Sequence, residues 1–137
     1  MKKLFFIVTV LSLTSFAQTA QPQAPANLGA TMKAMATSLK KITAQAADAT
    51  KNTESEQLTL DLVAMTKNSK NFIPPTLKNL PADQQKVQLE QYNKLIDESV
   101  TMIEELAAAF HDNNNTKATD LIAKINAAKK EGHNQFK

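Results

Sequence analysis

The chain has 137 residues, 42% hydrophobic and 21% charged, with a formal net charge of +3. It has no cysteine, which excludes disulfides, zinc–thiolate sites, iron–sulfur clusters and thiol catalysis. All 16 basic side chains are lysine, and only two residues are glycine, so the composition points to an all-α chain.

The first stretch has the pattern of a secretory signal. Lys2 and Lys3 form a positive start, and Leu4 to Leu13 is an apolar run broken by Thr9. Ser15-Phe16-Ala17 supplies small residues at the −3 and −1 positions, so residues 1–17 read as a signal peptide cleaved after Ala17. Cleavage after Ala20 is the alternative. The apolar run is shorter than the roughly 20 residues that a membrane-spanning helix needs. An exported, periplasmic protein is expected, with no membrane insertion of the mature chain. Loss of Lys2 and Lys3 lowers the charge from +3 to +1, which gives no argument for nucleic-acid binding.

Residues 18–26 are polar, hold Pro22 and Pro25, and read as a flexible leader. Helix one is expected from about Asn27 to Thr50, because Leu28, Met32, Met35, Leu39, Ile42 and Ala46 share one face. Thr53 and Glu56 have capping-box spacing, so helix two should start at Thr53. It carries Leu58, Leu62, Met65 and Phe72 and must end before Pro74-Pro75. Pro81 suits the first position of helix three. Its buried stripe is expected to include Val87, Tyr92, Leu95, Ile96, Ser99, Val100, Ile103, Leu106 and Phe110. The asparagines at 113 to 115 favour a turn. Helix four should run from about Thr116 to Phe136. Four amphipathic helices with short connections pack as an antiparallel up-down-up-down bundle over residues 27–137.

In such a bundle the start of helix one and the end of helix four share an end. Met32 and His133 each lie roughly 6–8 Å from that end at a rise of about 1.5 Å per residue. One thioether and one imidazole can then face the core at one level, as a six-coordinate haem requires, and that ligand pair suits one-electron transfer. Other roles stand beside this. A methionine on an apolar face also serves as core filler, as expected for Met35, Met65 and Met102. A histidine near a helix C-terminus also interacts with the dipole, as expected for His111.

Three segments together resemble the cytochrome b562 family over about residues 27–137. They are Asn27-Leu28-Gly29-Ala30-Thr31-Met32 through Leu39-Lys40-Lys41-Ile42, then Pro74-Pro75-Thr76-Leu77, then Lys130-Glu131-Gly132-His133-Asn134-Gln135-Phe136-Lys137. The resemblance implies one non-covalent haem b, with Met32 and His133 as axial ligands and metal contacts and with Pro74 and Pro75 at its border. The missing cysteines agree with non-covalent attachment. Lys129 and Lys137 stand where the family tends to carry arginine on the propionate side; lysine offers the charge without the bidentate fork. Tyr92 and Ile96 stand where the family has phenylalanines, and the first connection is longer.

The expected function is a periplasmic electron carrier, not an enzyme, acting as a monomer with redox partner proteins. The alternative is a haem-free periplasmic bundle that acts by binding or in a stress-related interaction. A hydrolase is disfavoured, because the two histidines sit at opposite ends of the bundle. Copper capture would want more clustered soft ligands. Intact mass of the exported protein should show a mature start at Gln18, or alternatively at Gln21. A retained Met1 in membrane fractions would overturn the export assignment.

Overall fold

The computed structural model describes residues 27–136; the signal and leader assignments, and Lys137, lie outside them. Four α-helices follow in order: α1 (Leu28–Gln45), α2 (Asn52–Ser69), α3 (Ala82–His111) and α4 (Asn115–Phe136). Short 3-10 turns lie at Ala49–Lys51 and Pro75–Leu77, and no strand occurs among the described residues. α2 packs on both α1 and α3, and α3 packs on α4, so the up-down-up-down bundle stands.

Each start has its own cause. Asn27 caps α1 by accepting from the Ala30 amide at 2.8 Å. α2 departs from the capping-box expectation: it begins at Asn52, so Thr53 lies inside the first turn. The work falls to Asp48, which accepts from the Thr50 amide at 3.0 Å and starts the 3-10 turn that feeds α2. Glu56 instead turns outward to meet His111 Nδ1 at 3.1 Å, where α3 ends. Pro81 is the N-cap of α3, one residue before its expected place. Helix one also ends earlier than expected, at Gln45.

The core is a column of Leu39, Ile42, Leu62, Ile103, Leu106, Phe110, Leu121, Ile122 and Ile125. Each such side chain contributes about 1.5–3 kcal/mol on full burial. The buried face of α2 keeps the expected Leu62, with Leu58 and Met65 packed against the core, and adds small polar residues. Ser55, Thr59, Thr66 and Ser69 are all fully buried, with Leu62 between them. Their hydroxyls are satisfied within the bundle. Thr59 donates to the Ser55 carbonyl and Thr66 to the Leu62 carbonyl, each at 2.7 Å. Gln45 donates to the Ser55 hydroxyl at 2.9 Å. Short side chains let α2 lie close to two neighbours at once, since interaxial distance follows the side chains at the contact.

α3 has 30 residues and α2 has 18. At about 1.5 Å per residue, α3 outruns α2 by roughly 18 Å. Val87 lies on that overhang and is 52% exposed, against its expected place in the buried stripe.

One end of the bundle is clasped by asparagines. The Asn115 side chain donates to the Ala46 carbonyl at 2.7 Å and to Asn52 Oδ1 at 2.8 Å. Asn52, itself buried, donates to Asn115 Oδ1 at 3.0 Å and to Asn113 Oδ1 at 2.9 Å. Asn113 adopts φ 56°, a left-handed conformation that asparagine tolerates, and this aims its side chain into the cluster. Asn115→Ala should therefore cost about 1–3 kcal/mol, because it strands buried amide and carbonyl groups. Urea unfolding of the two proteins checks this; unchanged stability would show that the clasp is incidental.

Candidate functional site

The opposite end is where the expected site residues lie. The Thr76 hydroxyl donates to the Phe136 carbonyl at 3.1 Å, which ties the proline-containing loop to the end of α4. The Phe136 ring meets Tyr92 edge-on at 5.4 Å between centroids. The buried Tyr92 hydroxyl donates to the Ser69 carbonyl at 3.2 Å and so ties α3 to the end of α2. Pro74 is fully buried beneath the loop, and Pro75 is exposed on it.

The direction in which each helix faces follows from its hydrogen bonds. Asn115 reaches the end of α1, so its side of α4 faces α1. His133 lies 18 residues further on, about five full turns at 3.6 residues per turn, and so returns to that same side. On α1, Ser38 donates to the Leu58 carbonyl at 3.4 Å, which fixes the side that faces α2. Met32 lies six residues before Ser38, about 120° round the helix and toward α4. Met32 and His133 therefore lie on the facing flanks of α1 and α4. Lys129, one turn before His133, shares its flank.

These flanks do not close on each other. Along their lengths the backbones of α1 and α4 hardly approach, unlike those of the sequential pairs α1–α2, α2–α3 and α3–α4. Hence His133 and Lys129 are exposed although they face α1, and Met32 is half-buried. Gly132 lies on the core-facing side of α4, seven residues after buried Ile125, yet a Cβ built there meets nothing within 4 Å. Space is left on the core side of α4 at this level.

The expectation that Met32 and His133 share one level needs a correction. Counted from the Asn115–Ala46 hydrogen bond, Met32 is about 21 Å along α1 and His133 about 27 Å along α4. The offset of about 6 Å, one helical turn, arises because α4 outruns α1. Side-chain direction opposes it. Cα–Cβ bonds tilt toward a helix N-terminus, and α1 and α4 are antiparallel. Met32 thus leans toward the open end and His133 leans back into the bundle, so each leans toward the other's level.

The donor set fits a haem. A thioether and an imidazole face one gap from two helices, with space beside Gly132. His133 has no hydrogen-bond partner among the described residues. His111 lies at the clasped end beside Glu56 and takes no part. Three features of this end carry no strong sequence signal: the Tyr92–Ser69 tie, the Thr76–Phe136 tie and the wholly buried Thr31 beside Met32. Thr31 donates to its own upstream Asn27 carbonyl at 3.0 Å. A separate open groove of about 580 Å³ lies on the other flank of α4, lined by Thr76, Leu80, Val87 and Gln135. It does not include Met32 or His133.

Comparison with known proteins gives one match. Residues 27–137 match the family model described as cytochrome b562. No curated protein and no solved structure matches the chain.

Burial holds the Tyr92 hydroxyl above its ordinary value of 10.0, with the Ser69 hydroxyl pulling weakly the other way. A raised phenol pKa stabilises the fold below pH 10, and that stability is lost as pH rises through the folded-state value. The chain has a single tyrosine, so tyrosinate absorbance reads this group alone. Its midpoint should lie above 10 in the folded protein and fall to about 10 in urea. Equal midpoints would show that Tyr92 is open to solvent.

Proposed function

The chain belongs to the cytochrome b562 family, and from that premise we propose that it is a periplasmic electron carrier with one non-covalent b-type haem held between Met32 and His133. The family is one of haem-binding electron carriers, not enzymes. The observation that carries the ligand assignment is the pair of facing flanks: the two donors look across one gap between α1 and α4, at the end that also holds the Pro74-Pro75 loop. A haem bound there would be held by Met32 and His133 and would supply reversible one-electron chemistry.

The chain's own groups have distinct tasks. His133 offers a neutral imidazole as the stronger donor. Met32 offers a thioether, which raises the reduction potential. Lys129, exposed beside His133, offers an ammonium to a propionate. Buried Pro74 fixes the loop under the end of α4, and exposed Pro75 borders the site. No helix among the described residues is long and apolar enough to cross a membrane. The export signal in residues 1–17 supports a periplasmic location.

Variants test the ligands. His133→Ala should weaken haem binding by ~100-fold or more, beyond the roughly 10–100-fold of a lost outer-shell partner. Met32→Ala should leave a bound but five-coordinate or water-ligated haem with a lower potential. His111→Ala should change neither. Met32 is half-buried, so its truncation should cost about 2 kcal/mol, the low end for a core methionine, and should not unfold the bundle. Reduced-minus-oxidised spectra and haem titrations provide the readout. Haem should also extract fully into acidic organic solvent, since no cysteine can hold it. A colourless protein that takes up no haem would favour the haem-free binding role instead, and unchanged spectra in Met32→Ala and His133→Ala would move the ligands elsewhere.

A further inference from the structure

The surface charge of the bundle is divided between its two halves. α1 carries Lys33, Lys40 and Lys41 and no carboxylate. α3 carries six carboxylates against two lysines. α2 carries three carboxylates against Lys67 alone. α4 has four lysines and two carboxylates, Asp120 and Glu131. Both of those acids lie about 140–160° round the helix from His133, away from α1, at about 100° per residue. Lys129 and Lys130 lie only about 40° and 60° from His133.

The ion pairs sharpen this division. Lys41 and Lys51 meet Glu54 at 2.7 and 3.7 Å, Lys67 meets Glu104 at 2.8 Å, and Lys70 meets Asp97 at 2.7 Å. Three of these pairs have a member on α2, and in the fourth Lys70 is its C-cap. Lys33, Lys40, Lys129 and Lys130 pair with no carboxylate among the described residues, and neither do Lys78, Lys86, Lys117 and Lys124, which lie elsewhere on the bundle. Lys33, Lys40, Lys130 and, while no propionate engages it, Lys129 therefore frame the gap between α1 and α4, with no acid on its rim. Among the described residues the large exposed apolar side chains, Leu60, Ile73 and Val87, lie on α2, on the loop and on α3, and none of them is on this side to insert into a bilayer.

We propose that the α1–α4 side is the docking surface for a protein partner whose own contact surface is acidic. The charge asymmetry stands by itself; that the contact passes electrons rests on the haem reading above. Such a surface raises association rate and orients encounter more than it raises affinity. The acidic α2–α3 side repels the same partner and so disfavours wrong orientations.

Two experiments test the proposal, and the first does not need haem. Amide NMR of the ¹⁵N-labelled chain is followed as a ten-residue polyglutamate peptide is added at about 10 mM salt, where screening is weak. Shifts should cluster at residues 33, 40, 129 and 130 and vanish by about 0.5 M salt. Shifts spread equally over Lys117 and Lys124, on the far side of α4, would overturn the surface. So would binding of the chain to phosphatidylglycerol vesicles at physiological salt with the same four residues affected, which would assign it to a membrane.

The second experiment uses the haem-loaded protein, whose spectrum first reports whether haem is present. Oxidation of the ferrous form by hexacyanoferrate(III) should slow with rising ionic strength, and oxidation by tris(phenanthroline)cobalt(III) should quicken. Lys33→Glu with Lys130→Glu should slow the anionic oxidant at least ~3-fold at low salt. Lys117→Glu with Lys124→Glu makes the same change in net charge on the far side and should have little effect. Equal slowing by both pairs would show that only net charge matters and would refute the docking surface. Absence of haem would refute the haem reading and leave the peptide result standing.

Discussion

The fastening of α1 at one end only governs the rest of the molecule. Asn115 joins the start of α4 to the Ala46 carbonyl at the end of α1, and Asn52, at the start of α2, pairs with Asn115 and with Asn113 in the turn before α4. Away from that clasp, α1 is held by α2 and hardly approached by α4. An unpaired amide in such a place would cost more than its hydrogen bond returns, so the cluster holds only with every member satisfied. Satisfied, it sets the register of α1 against α4. That register decides which residues look across the gap: Met32 from one side, Lys129 and His133 from the other. It also decides where the gap opens, since at the clasped end α1 cannot part from α4 without breaking the Asn115–Ala46 hydrogen bond.

Much of this was legible in the sequence because the information was periodic. The apolar repeats of helices one, three and four place Ile42, Leu106, Phe110 and Ile125 in the core where they are found. Helix two was legible as a helix and in part as a packed surface, since Leu62 is buried and Leu58 and Met65 pack against the core as expected. Its buried face also holds Ser55, Thr59, Thr66 and Ser69, which hydropathy assigns to solvent and which self-satisfying hydroxyls make tolerable inside. The capping box at Thr53 failed for a related reason: local pattern cannot tell that Glu56 has a tertiary partner in His111. Val87 fits its stripe by period but sits beyond the reach of α2, and helix lengths become comparable only once the bundle is assembled. The site was legible as residue types at one end of the fold. Its one-turn offset and its open flank were not, because both depend on the register set by asparagines that read in sequence as a turn.

The family match and the geometry support different statements. The match over residues 27–137 carries the haem-binding class of the chain. The geometry bears on which atoms of this chain suit the task. Lys129, exposed on α4 beside His133, offers charge without a planar fork. Tyr92 replaces an expected phenylalanine, and its hydroxyl is used to tie α3 to the Ser69 carbonyl. A more polar wall near the site has therefore been converted into a structural link, which removes the cost of a buried unpaired hydroxyl.

A candidate site in the last described turns of α4 meets a physical difficulty, since helix ends fray. The end of α4 answers it with Phe136. Its ring is buried against Tyr92 and its carbonyl accepts from Thr76, so the last described turn is pinned on two sides by α3 and by the loop after α2. His133 lies three residues before that anchor and within the same turn. The buried aromatic contact and the loop bond thus hold the backbone of His133 in place while its ring faces an open flank. The imidazole is positioned by neighbours that do not touch it, which leaves both ring nitrogens free: one for a ligand in the gap and the other for solvent.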